Sequence, residues 1–119
     1  MKVPRPSQDD KAYFLALVPN GPNIEVKPMF GNLGAFVNGN MFMGLLGCDV
    51  GVKLEAADLA RLVAEPGAGP FGPAERPMAG YVTIPSSWRA RPEKATPWIA
   101  KALARSAALP TKQATARRR

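Results

Sequence analysis

The side chains able to do chemistry are few and scattered. Nine acids, Asp9, Asp10, Glu25, Asp49, Glu55, Asp58, Glu65, Glu75 and Glu93, are spread along 119 residues, and histidine is absent, which removes the commonest general base. Each acid stands where a helix start, a turn or a solvent-facing strand position accounts for it. The one cysteine, Cys48, lies beside Asp49 between two apolar runs, where a turn would expose the thiol. A reactive thiolate also needs a nearby cation or a helix amino end. With one cysteine and no histidine, neither a zinc cluster nor an internal disulfide framework can be assembled. These residue types predict a non-enzymatic protein with no catalytic residue, metal or cofactor.

Phosphate binding is the other chemistry the chain offers. Arg76 and the run Trp88-Arg89-Ala90-Arg91 combine guanidinium groups with a stacking ring, and Lys112, Arg117, Arg118 and Arg119 end the chain. Together they are the candidate nucleic-acid contacts. The formal charge is +7 with pI about 10.1, and subtracting the four terminal cations leaves +3 for residues 1–110. The body is therefore only mildly basic. A solvated surface with a basic tail explains the charge without nucleic acid, and Trp88 reads first as a ring covering the sheet's edge. Gly31-Asn32-Leu33-Gly34 lacks the following lysine and helix of a phosphate loop, so it reads as a turn.

The elements that must hold these residues follow from spacing. Ser7 to Asp10 has the form of a helix-capping arrangement. The helix after it, with Ala12, Tyr13, Leu15, Ala16 and Leu17 as an apolar face, is stopped by Pro19-Asn20-Gly21-Pro22. Ile24-Glu25-Val26-Lys27 alternates as a strand with one wet face. Residues 27–54 then read as a meander, with strands near 33–37, 40–46 and 50–54 separated by tight turns, Asn38-Gly39 the clearest. Met29, Met41 and Met43 read chiefly as core filler. Residues 55–65 form a second helix. The Gly- and Pro-rich stretch 67–77 is a surface connection anchored by Phe71, and residues 78–84 return as a strand. Residues 86–95 are a polar loop, Thr96 caps a third helix with Pro97 in its first turn, and Trp98, Ile99, Ala102, Leu103 and Ser106 mark its buried face.

This order, α-β-β-β-β-α-β-α, predicts a two-layer α+β fold: an antiparallel sheet of about five strands covered by three helices. At 12.7 kDa the chain is the size of one domain, assigned to residues 1–110, with 111–119 as a basic disordered tail. No apolar run is long enough to span a membrane and residues 1–10 lack the apolar core of a signal peptide, so the expected location is the cytoplasm.

Several ordered words carry a family resemblance: Pro28-Met29-Phe30-Gly31, Gly34 to Gly39 with Asn38-Gly39, and Met41-Phe42. Further along come Pro66-Gly67-Ala68, Arg76-Pro77-Met78, Gly80-Tyr81-Val82, Ile84-Pro85 and Pro97-Trp98. From residue 10 to 110 the chain resembles the TfoX N-terminal domain family, standing alone without the C-terminal domain of the competence regulators that gave the name. The resemblance implies a sheet of about five strands with helices on it, similar to secretion chaperones, and a regulatory context. It implies no catalytic residues. The expected function is an adaptor-type interaction module that binds a protein partner through an exposed sheet edge or a methionine-bearing surface, as a monomer or homodimer. The alternative is a weak, sequence-independent nucleic-acid binder using the tail and the Trp88 loop.

Overall fold

A computed structural model describes residues 4–29, 31–73 and 75–111. Its helices are α1 (Gln8–Leu17), α2 (Ala56–Val63) and α3 (Thr96–Ala107), and its strands are β1 (Ile24–Met29), β2 (Asn32–Val37), β3 (Asn40–Leu46), β4 (Asp49–Lys53), β5 (Gly69–Pro70) and β6 (Tyr81–Thr83). All strands pair antiparallel in one open sheet of order β1-β2-β3-β4-β6-β5. The α+β class and the meander agree with the sequence.

Local chemistry explains the elements. The Ser7 hydroxyl accepts from the Asp10 amide (3.1 Å) and the Ser7 amide donates to the Asp10 carboxylate (2.8 Å), a capping box that starts α1. Asn38 and Gly39 hold φ of 52° and 81°, the paired positive values that turn β2 into β3 within two residues.

Helices cover one face of the sheet. Ala35, Val37, Met43, Leu45, Val50, Val52 and Val82 are buried there with Phe14 of α1, Leu62 of α2, and Ile99 and Ala102 of α3. The opposite face is built around small residues. Gly34 pairs with Gly44, and Gly44 with Gly51, so a stripe without side chains crosses β2, β3 and β4. The Phe71 ring lies on it: a Cβ on Gly51 would come within 2.3 Å of Phe71 Cγ, which is why only glycine fits. Phe71 is itself 1 % exposed and stacks 5.9 Å from Tyr81. Asn32 fastens a second corner of this face, its side-chain amide donating to the Pro4 carbonyl (2.9 Å) and its oxygen accepting from the Gly47 amide (2.8 Å).

Several expectations need correction. The sheet has six strands rather than about five, because Gly69-Pro70, read as surface connection, pairs with β6. In α1 the buried residue is Phe14, while Leu15, placed on the apolar face, is 50 % exposed. Residues 86–95 are not an open loop: they form two 3-10 turns, Ser86–Ala90 and Pro92–Lys94. The second turn runs directly into α3, so Ala95 occupies the capping position and Thr96 is already helical. The Thr96 hydroxyl instead donates to the Pro92 carbonyl at 3.4 Å. The face proposed for α3 is the buried one, with Ile99, Ala102 and Ser106 inside and Trp98 and Leu103 half-buried.

Candidate interaction surface

Among the described residues, the arginines singled out for phosphate contact do not form one surface. Arg89 is bound within the fold: its Nη1 lies 2.8 Å from Asp10 Oδ1, and its guanidinium sits 4.8 Å over the Tyr13 ring. The capping hydrogen bond from Ser7 together with Arg89 holds the Asp10 carboxyl below its ordinary range. Arg89 thus ties the turn after β6 to α1. Trp88 is half-buried against the core. Arg91 is exposed after β6 and Arg76 is exposed in the connection before it, so they approach from opposite ends of that strand. Lys112, Arg117, Arg118 and Arg119 lie outside the described residues, as does Phe30 of the family words.

The acids and the thiol are likewise spread apart among the described residues. Among the described residues no group of three or more His, Cys, Asp or Glu side chains could hold a metal. Cys48 is exposed with its Sγ 3.8 Å from Asp49 Oδ1, beside a shallow cavity of about 100 Å³ that Tyr13, Ser86 and Arg89 also line. The nearest cation of that cavity is the one paired with Asp10. Asp58 is shared between Arg61 and Lys101 at 3.9 and 3.8 Å. Both pairs are open to water, where screening makes such contacts worth little.

The two sheet edges offer a different kind of site. At one end, β5 is two residues long; Pro70 has no amide hydrogen, and its carbonyl accepts from the Thr83 hydroxyl at 2.9 Å. This edge is blunted. At the other end, β1 runs six residues and pairs with β2 alone among the described residues. Its phase is fixed: the Asn38 amide donates to the Asn23 carbonyl at 3.0 Å, and Asn23 stands one position before the Ile24–Val37 pair. Because main-chain groups alternate sides along a strand, Glu25, Lys27 and Met29 turn theirs toward β2. Ile24, Val26 and Pro28 turn theirs outward.

Side chains at this edge also fit a docking role. Val26, on the helix-bearing face, is 36 % exposed because the helical layer stops short of it. Glu25 and Lys27 stand together on the other face, Lys27 Nζ 3.7 Å from Glu25 Oε1 and 5.0 Å over the Phe36 ring. An open groove of about 680 Å³ runs beside them, lined by Asn23, Ile24, Phe36, Asn38, Gly39 and Thr111. Of the methionines, Met43 is fully buried and Met29 and Met41 are half-buried, so core filling describes Met43 fully and the other two in part. The strand itself was legible as an alternating Ile-Glu-Val-Lys run. Its edge position was not, since that depends on where β5 and β6 insert.

Against known proteins, residues 16–106 match the model of the TfoX N-terminal domain family. No curated protein matches the chain.

Proposed function

Because this chain belongs to the TfoX N-terminal domain family, we propose that it is a non-enzymatic regulatory or adaptor-type module whose protein partner docks by adding a strand at β1. The observation that carries this reading is the outward-facing main chain of Ile24 and Val26 at a six-residue edge. Strand addition draws affinity from main-chain hydrogen bonds and specificity from alternate side chains, here exposed Val26 on one face and the Glu25–Lys27 pair on the other. Each main-chain bond contributes about 1 kcal/mol net, which suits a reversible regulatory contact. The competence-related role implied by the family name is assigned to this contact rather than to chemistry.

Weak nucleic-acid binding is the second reading. The charge of +7 and the exposed Arg76 and Arg91 favour it. The pairing of Arg89 with Asp10 takes away its central cation.

Affinity capture from cell extract with wild type, Val26→Pro and the control Val63→Ser separates these. Val26→Pro deletes an outward amide and leaves the β1–β2 ladder its bonds, so captured proteins are lost with it and kept with the control. Identical captures from all three would exclude the β1 edge. If a chain truncated after Thr111 binds duplex DNA with a slope of several phosphate contacts over a salt series, the nucleic-acid reading replaces it.

A further inference from the structure

We infer that the strand β1 receives is β1 of a second copy of this chain, antiparallel across a two-fold axis at Val26. This rests on the docking reading above and names its partner.

Charge complementarity chooses both the partner and the register. In an antiparallel pair of identical strands, one residue on the two-fold axis faces itself and its neighbours face each other. With Glu25 on the axis, carboxylate meets carboxylate; with Lys27 on the axis, ammonium meets ammonium. Like charges directly opposite destabilise a sheet. With Val26 on the axis, Glu25 of each copy faces the partner's Lys27. Since Glu25 and Lys27 already lie 3.7 Å apart within one strand, the four charges alternate in sign around a closed rectangle.

Main-chain geometry selects the same register. Val26 and Ile24 face outward. The Val26 amide of each copy therefore donates to the partner's Val26 carbonyl. Ile24 donates to the carbonyl of the partner's Pro28, which needs no donor from the proline. Glu25 and the partner's Lys27 then form non-hydrogen-bonded pairs, the positions where side chains approach most closely. On the opposite face the two exposed Val26 side chains cover each other. Pro28 and the charged pair are also devices that keep an edge from pairing indiscriminately. Here they leave one register open and close its neighbours.

The assembly also stops at two copies. The symmetric contact uses up both β1 edges and extends the sheet across the dimer to two β5 edges, each ended by Pro70 with its carbonyl already bonded to Thr83. No second contact of the same kind is available to grow a filament.

Sedimentation of the purified full chain from about 10 µM to about 1 mM, at low salt, tests the inference, since so short a contact belongs with weak interfaces. The wild-type mass rises from 12.7 kDa toward twice that value. E25K and K27E each remain monomeric, because each sets like charges opposite one another. An equimolar mixture of the two regains the dimer, since every cross-strand pair is again opposite in sign. V26P remains monomeric with an unchanged circular dichroism spectrum. The inference is overturned by a wild type that stays monomeric throughout, or by single charge variants that dimerise as wild type does. If the wild type is monomeric while V26P still loses its captured proteins, the second copy is the wrong partner and the docking edge stands. A dimer that V26P does not weaken lies elsewhere on the molecule and overturns the inference.

Discussion

The two edges of the sheet are built on opposite principles. At the β5 edge, Phe71 lies across Gly44 and Gly51, Tyr81 stacks against it and donates to the Met41 carbonyl at 3.3 Å, and the Thr83 hydroxyl closes the Pro70 carbonyl. This edge is short and internally bonded, and the Phe71 ring that follows it is buried. At the β1 edge, Val26 is exposed, Glu25 and Lys27 form a solvent-screened pair, and the outward main chain has no strand beside it among the described residues. Stability is concentrated at one edge and availability at the other. A domain with both edges like β5 would dock nothing by strand addition, and one with both like β1 would polymerise.

The largest effect that separates the edges is expected from Phe71→Ala. Removing a fully buried ring from a glycine floor that cannot collapse onto the void costs about 3 to 5 kcal/mol. Urea unfolding should show this as a lowered midpoint with little change in slope. A loss under about 1 kcal/mol would mean that Phe71 does not hold this edge.

Gly51→Ala comes next, at about 1 to 3 kcal/mol, because its Cβ would stand 2.3 Å from Phe71 Cγ. The clash needs the ring, so combining it with Phe71→Ala should recover most of the cost. Additive losses would place the penalty of Gly51→Ala somewhere other than Phe71.

Alkaline pH probes the same edge. Burial pushes the Tyr81 phenol up to about 12, above its unfolded value of about 10. The folded state therefore holds this proton more tightly than the unfolded state. The stability it contributes is complete below pH 10 and is lost as pH rises toward 12. Phenolate absorbance should rise late in the folded protein, and Tyr81→Phe should remove the component near pH 12, leaving that of Tyr13, which burial also raises.

The smallest effect belongs to the open edge. Val26→Ala should change unfolding free energy by less than about 0.5 kcal/mol, as surface positions do, while weakening self-association. A loss comparable with that of Phe71→Ala would abolish the distinction between the edges.

Local chemistry made much of this legible in the sequence. Ser7 and Asp10 form their capping box, and Asn38-Gly39 turns the chain, because these interactions need only neighbours three residues apart or fewer. The alternation of Ile24 to Lys27 marked a half-wet strand. What escaped is non-local. Arg89 reads as a free cation until Asp10, 79 residues away in sequence, is brought against it. Gly69-Pro70 has the composition of a loop and becomes a strand only because β6 lies alongside. In the sequence Gly34 reads as part of a turn, and Gly44 and Gly51 carry no mark of their own within their strands. Their shared role appears only when register sets them side by side across β2, β3 and β4, with Gly44 and Gly51 beneath Phe71, and a glycine at matched positions of successive strands is the signal that could have announced it. The edge status of β1 escaped for the same reason: the later strands enter on the far side of β4.

Residue-resolved amide exchange by NMR, at about 20 µM and about 1 mM, tests the contrast between the edges most directly. The predicted result is protection of the Glu25 and Lys27 amides at both concentrations. The Ile24 and Val26 amides exchange rapidly in dilute solution and slow at the higher concentration, while the β6 amides do not change. Ile24 and Val26 amides already protected in dilute solution, or Glu25 and Lys27 amides exchanging as fast as theirs, would contradict an open β1 edge.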